Sequence, residues 1–324
     1  MEWADAGQRT SRLRTIGQAH HPDRTGRTES ILSTYLDALL EHAHERVVLA
    51  RAARPEAQLR AAALERPAPQ SLRAALAAPG VSVLAEVKRA SPSKGPIAPE
   101  LDAVSQAAAY QRGGAAGVSV LTETSRFAGN LDDLAAVAQL GLPALRKDFI
   151  VDTYQIWEAR EAGAAAVLLI VAALDADTLA RLHTEARTAG LEVLVEVHDA
   201  EEVAATHAIG AELVGVNARD LRTFEVDPAA FARLRGALPT GALSVAESGI
   251  STPQDLRAVA AAGADAVLVG ESLVRAADPA AAVQALVAAG SPVPAVAPIS
   301  VSPPPPPPGP TSTAAPASPT DPTR

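Results

Sequence analysis

Lys88, Lys94 and Lys147 are the only lysines in this 324-residue chain, although Lys and Arg together number 28. Each follows a short apolar run that reads as a β-strand. Arginine stays protonated at any physiological pH, whereas a desolvated lysine ammonium lowers its pKa and can hand over a proton. Lysines kept in so arginine-rich a chain are therefore candidate acids. Period-two alternation sets Glu86 and Lys88 on one face of the first strand and Val87 on the other. Glu196 interrupts the apolar run before His198, and a carboxylate inside a parallel strand is costly to bury without a partner. Lys147 or Lys88 is the expected partner. Asn217 and Glu247 end two later runs, so acids, ammonium groups and an amide form a ring suited to proton transfer in both directions. A buried structural ion pair is the alternative for Glu86 and Lys88, because such networks also perturb pKa values.

The elements that must position these groups repeat regularly. Apolar, β-branched runs lie at 81–87, 117–121, 143–145, 165–171, 192–197, 213–216, 243–246 and 266–269. Segments of helical spacing separate them, at 101–112, 131–140, 154–162, 175–189, 201–209, 228–234, 253–262 and 279–288. Gly113, Gly141, Gly163, Gly190, Gly210 and Gly263 supply helix stops that permit a left-handed residue. Eight βα units indicate a closed barrel or a doubly wound open sheet. An open sheet presents ligand residues only at its switch point, whereas polar residues follow nearly every strand here. The expected fold is an α/β (β/α)8 TIM barrel. An extra N-terminal helical segment, 31–51, precedes the first strand and covers the barrel floor or caps its mouth.

Two glycine turns, Glu247–Ser251 and Val269–Leu273, follow the seventh and eighth strands. Barrels place a phosphate there, because backbone N–H groups and a helix N-terminus favour an anion. Of the histidines only His198 lies at a strand end, and neither metal-ligand spacing nor a serine-nucleophile elbow occurs. No metal and no cofactor is expected.

Composition bounds the rest. Hydrophobic content of 48% with 3% aromatics points to an Ala/Val/Leu/Ile core, the diet of a helix-covered parallel sheet. With no cysteine and no secretory leader, the cytoplasm is expected. A net charge of -9 and a pI near 5.3 argue against a nucleic-acid surface. The apolar stretch 164–174 is too short for a membrane span. Residues 1–28 read as a poorly ordered extension, 29–290 as the catalytic barrel with its leading helix, and 291–324 as a disordered Pro-rich tail. The tail points to no particular partner, and a monomer is the working expectation.

With these residues in view, the chain from about 30 to 288 resembles the indole-3-glycerol phosphate synthase family. The likeness rests on 85–93 (Ala-Glu-Val-Lys-Arg-Ala-Ser-Pro-Ser), Leu121-Thr122-Glu123, Lys147-Asp148-Phe149-Ile150, Glu196, 217–221 (Asn-Ala-Arg-Asp-Leu) and 246–250 (Ala-Glu-Ser-Gly-Ile). The resemblance implies a decarboxylating ring closure and dehydration of 1-(2-carboxyphenylamino)-1-deoxyribulose 5-phosphate. It implies Lys147 as general acid at the ketone oxygen and Glu196 in proton transfer during dehydration. Lys88 would hold the anthranilate carboxylate with Glu86 positioning it, while Asn217 and Glu247 orient the ring of groups. Ser91, Phe149 and Arg219 would line the substrate pocket, and Ser248, Gly249, Gly270 and Glu271 would bind phosphate mostly through backbone donors. Lys94 sits in a loop whose role differs among members.

Charge logic agrees, since carboxylate and phosphate bring about three negative charges, the phosphate alone about 1.5 to 2. It also predicts that the acid is a cation whose pKa neighbouring ammonium groups lower. Ala128, Ala218 and Glu271 depart from the family's usual residues, and only Glu271 touches an expected site. A sugar-phosphate isomerase barrel would use Asp or Cys at its strand ends, and no cysteine exists here. An inactive binding barrel should have lost a charged motif residue, and none is missing.

Overall fold

The computed structural model describes residues 24–292, with side chains from residue 35 onward. Expectations for the chain before residue 24 and after residue 292 lie outside the described residues. Strand β1 (Ser82–Val87) leads into a small antiparallel ribbon, β2 (Ala90–Ser91) with β3 (Gly95–Pro96). Seven strands follow: β4 (Gly117–Leu121), β5 (Ala144–Lys147), β6 (Ala166–Ile170), β7 (Glu192–Val197), β8 (Leu213–Asn217), β9 (Leu243–Glu247) and β10 (Ala266–Val269). These seven and β1 close into one parallel barrel, in the order β1-β10-β9-β8-β7-β6-β5-β4 and back to β1. The helices of the repeat are α4 (Ala103–Arg112), α5 (Leu131–Ala138), α6 (Thr153–Ala162), α7 (Ala176–Thr188), α8 (Ala200–Ala208), α9 (Ala230–Leu234), α10 (Pro253–Ala261) and α12 (Pro279–Gly290), with short α11 (Glu271–Val274) before the last. The fold is the (β/α)8 barrel that the alternation predicts. Among the described residues no helix is long and apolar enough to cross a membrane.

Strand alternation sorts the core into two shells. Val83, Ala85, Val87, Val118, Val120, Val167, Leu169, Val195 and Val216 face outward and pack under the helices. Leu84, Leu145, Leu168, Leu194, Leu213, Val245 and Leu268 face inward. The same parity carries Glu86, Lys147, Glu196, Asn217 and Glu247 to the inner face at the C-terminal ends of their strands.

Three helices precede the barrel, where one was expected. Helix α1 (Arg24–Ala53) buries Leu39, Ala43 and Val47, a spacing of four that puts them on one face. It lies across the mouth: Tyr35 meets Phe224 edge-on at 5.2 Å between ring centroids, and Arg46 reaches Asp148 at the end of β5. Helix α2 (Glu56–Glu65) packs on α6 through Leu59 and Ala63. Short α3 (Leu72–Leu76), capped by Ser71, drives Leu72 and Leu76 into the barrel floor. A Cβ at Gly117 would lie 2.8 Å from Leu72 Cδ1, so the plug needs that glycine. Floor and mouth are thus covered by different helices. One glycine assignment is corrected: Gly114 (φ +88°), not Gly113, takes the left-handed stop after α4. Gly113 serves packing instead, since its Cβ would come within 2.7 Å of Val283 Cβ on α12.

Candidate active site

At the end of β1, Lys88 Nζ lies 2.7 Å from Glu86 Oε1. Gly270 makes room for the pair, because a Cβ there would sit 2.5 Å from Glu86 Oε1 and 3.1 Å from Lys88 Nζ. Across the mouth, Lys147 Nζ donates to Glu196 Oε2 at 2.7 Å and approaches Glu247 Oε2 at 3.6 Å. Asn217 Nδ2 donates to Glu196 Oε1 at 3.0 Å, and its own Oδ1 accepts the N–H of Arg219 at 3.0 Å. An alanine at Gly215 would collide with Glu247 Oε1, so this carboxylate occupies space that a missing side chain leaves.

The electrostatics of this cluster follow from burial and from one ammonium facing several carboxylates. Burial works against the charge on Glu196, but Lys147 and His198 overcome it and hold the carboxyl well below its ordinary range. Burial and the charge of Glu196 push Glu247 the other way, to about 8. At neutral pH one acid of the pair is ionised and the other protonated. Burial also opposes the charge on Lys147, yet Glu196, Glu247 and Glu86 outweigh it and raise its pKa. This corrects the expectation of an acid lowered by neighbouring ammonium groups: the nearest neighbours of Lys147 are carboxylates, and Lys88 is taken up by Glu86.

The turns after β9 and β10 face the same space. Ser248 (φ +63°) and Gly249 (φ +74°) are consecutive left-handed residues, and Gly270 precedes the first turn of α11. Glu271 turns its carboxylate to Arg275 Nε at 3.0 Å. Phe149 is held through its backbone, donating to Asp148 Oδ1 and accepting from Gln155 Nε2, each at 2.9 Å. Arg219 donates to the carbonyl of Phe224 at 2.8 Å and so ties the loop after β8. Ser91 keeps a buried Oγ with no hydrogen-bond partner, and Lys94 stands exposed at the tip of the β2–β3 ribbon.

All thirteen expected site residues, together with Lys94, line one cavity of about 460 Å³ at the C-terminal mouth. That volume suits a small-molecule ligand. Its walls are apolar, with Phe127, Leu168, Ile170, Leu221, Phe224 and Leu268 around the charged floor. Among the described residues no three His, Asp or Glu groups converge as a metal-ligand set does.

Two motif residues to which the sequence assigns no role turn out to be supporting groups. Asp148, fully buried just past β5, accepts from Arg46 at 2.7 and 3.1 Å, Thr122 at 2.7 Å and Arg146 at 3.0 Å. Glu123 shapes the loop after β4 by accepting from Ser125, Arg126 and Phe127. Strand parity was the available signal for Asp148, since the neighbour of an inward lysine must point outward.

Fold and cavity together define a (β/α)8-barrel protein whose mouth is floored by paired ammonium and carboxylate groups. The sequence model of indole-3-glycerol phosphate synthase matches residues 36–286. The chain belongs to the indole-3-glycerol phosphate synthase family, which makes it a carboxy-lyase of tryptophan biosynthesis. It is 51% identical over 260 residues to indole-3-glycerol phosphate synthase of Mycolicibacterium gilvum and 50% identical to that of Mycobacterium ulcerans, covering 80% of this chain and 96% of each relative. A solved 3-hexulose-6-phosphate synthase from Salmonella typhimurium shares the fold at a TM-score of 0.52 and 19% identity, over 64% of this chain and 98% of that one. At that identity the likeness is one of fold.

Proposed function

We propose that this mouth performs the family's reaction with Lys147, Glu196 and Lys88 as its principal groups. The reaction converts 1-(2-carboxyphenylamino)-1-deoxy-D-ribulose 5-phosphate to indole-3-glycerol phosphate, CO2 and water. The observation that carries the assignment of roles is Lys147 Nζ, which lines the cavity between the buried carboxylates of Glu196 and Glu247.

Ring closure joins the carboxylate-bearing aromatic carbon to the ketone carbon, and the ketone oxygen needs a proton as its charge develops. Lys147 supplies it. Loss of CO2 restores the aromatic ring, and departure of the new hydroxyl as water then requires a proton on that oxygen, delivered by the ammonium of Lys88, and a base to take a proton from the adjacent carbon. Glu196 is ionised and serves as that base. The two groups are coupled, because each charge stabilises the other: once Lys147 is neutral Glu196 is a stronger base, and once Glu196 is protonated the ammonium of Lys147 is a stronger acid.

Lys88 holds the substrate carboxylate, with Glu86 fixing its ammonium. Asn217 orients Glu196, and Glu247 in its protonated form offers a hydrogen-bond donor to Glu196 or to a substrate hydroxyl. Ser91, Phe149 and Arg219 line the pocket for the rest of the substrate. Ser248, Gly249, Gly270 and Glu271 hold the phosphate through backbone N–H groups, a role compatible with the Glu271 side chain being engaged by Arg275. The chain works in the cytoplasm, a reading supported by the absence of cysteine from the sequence, and a monomer remains the working proposal.

The deciding experiment supplies the substrate and follows indole fluorescence for the wild type, Lys147→Ala and Glu196→Gln. Turnover by the wild type and its collapse in both variants supports the assignment. Near-normal turnover by either variant overturns that residue's role.

A further inference from the structure

His198, the first residue past β7, lies two positions beyond Glu196 and on the same side of the strand. Its Nδ1 is 3.0 Å from Glu202 Oε2 in the first turn of α8, and the same oxygen accepts the backbone N–H of His198 at 2.8 Å. Its Nε2 is buried, takes no hydrogen-bond partner, and stands 3.4 Å from Glu196 Oε1. The ring is therefore pinned at one nitrogen and aimed at the proposed base with the other.

Every other group around Glu196 has another duty. Lys147 from β5 occupies Oε2, Asn217 from β8 occupies Oε1, and Glu247 from β9 adds a like charge when ionised. Once Lys147 gives up its proton, Glu196 loses its counter-ion in a buried place, and an unpaired buried carboxylate is strongly disfavoured. His198 supplies a second cation on the opposite oxygen. Burial opposes its charge, yet Glu196 and Glu202 hold the proton on the ring and raise its pKa to about 10.

We infer that His198, anchored by Glu202, is a positioning residue that keeps Glu196 oriented and ionised through the part of the cycle in which Lys147 is neutral. The inference rests on the proposed role of Glu196 and extends it to a group outside the cavity lining.

A double-mutant cycle on the full chain tests it, with kcat and KM measured for His198→Asn, Glu196→Gln and the double variant, and thermal unfolding as a check on folding. His198→Asn should lower kcat roughly tenfold, the loss of one charge-assisted contact, with little change in KM. In the Glu196→Gln background the same substitution should change kcat less than twofold, because a residue acting through Glu196 has nothing left to act on. Glu202→Gln, which loosens the anchor without altering the ring, should give a smaller drop in the same parameter. An equal loss from His198→Asn in both backgrounds, or unchanged kcat in the single variant, overturns the inference. Wild-type kcat in Glu196→Gln overturns the role of Glu196 itself and the inference with it. If His198→Asn fails to fold, Glu202→Gln in the same two backgrounds decides by the same criterion.

Discussion

Lys147 and Glu196 meet at 2.7 Å although their strands, β5 and β7, are not neighbours in the barrel. β6 runs between them, so the pair spans the inside of the barrel and does not follow the wall. Closure of the sheet favours such a contact, because inward residues of alternate strands share a layer. It also sets the chemistry: an ammonium and its counter-carboxylate are held together before substrate arrives, and a change of charge on either is felt by the other.

Removing the ammonium should be costly. Lys147→Ala is expected to lower kcat by at least ~10²-fold, the usual range for a general acid. Lys147→Arg should not restore it, because a guanidinium keeps its charge but does not release a proton. Recovery of more than a tenth of wild-type kcat in the arginine variant would show that positive charge alone suffices.

The raised carboxyl of Glu247 has a consequence for stability. Its pKa is about 8 in the folded chain against an ordinary value of 4.5, so its favourable contribution is complete below 4.5 and is lost as pH rises through about 8. Glu247→Gln, a permanently neutral isostere, escapes that loss. The melting temperature of the variant minus that of the wild type should therefore become more positive from pH 5 to pH 9. A difference that stays flat across this window would mean that Glu247 titrates normally.

Gly215 gives a test of volume. Gly215→Ala collides with Glu247 Oε1 and should destabilise the fold by about 1–3 kcal/mol, the range for overpacking, while lowering kcat. Adding Glu247→Ala removes the colliding atom, so the double variant should regain stability relative to Gly215→Ala alone. Strictly additive losses in denaturant unfolding would rule out this contact as the cause.

The N-terminal helix offers a comparison of two arginines. Arg46 donates to the fully buried Asp148, whereas Arg51 is 42% exposed and pairs with Asp152 and Glu56. Arg46→Ala should cost about 1–3 kcal/mol, since it leaves a buried acceptor short of a donor. Arg51→Ala should cost at most ~1 kcal/mol, because water screens an exposed pair. Equal costs in parallel urea titrations would contradict the importance given to burial here.

Strand parity made the barrel and its inner charges readable from sequence. Glu86, Lys147, Glu196 and Glu247 are polar residues in apolar runs, and the only neutral way to explain several of them is a shared interior. Distances across the barrel were not readable, which left the partner of Glu196 open between Lys88 and Lys147 and led to a wrong direction for the pKa of Lys147. Helices α2 and α3 were missed because each buries only two residues, Leu59 with Ala63 and Leu72 with Leu76, too few to establish a period. His198 stands at a strand end in the sequence, but its meaning depends on Glu202, a residue on the following helix. Gly215 acts through the side chain it lacks, and a search for reactive residue types passes over it; Gly270 is legible as a backbone donor, but not as the room it leaves for Glu86 and Lys88.

Asp148 follows Lys147 directly, yet the two side chains leave the chain on opposite sides: one pairs with Glu196 and Glu247, the other holds Arg46 of helix α1. A single inserted or deleted residue in β5 would exchange them, sending the carboxylate inward and the ammonium out. Four residues of strand therefore carry a reading frame of their own, and neither the reaction nor the docking of α1 survives its shift.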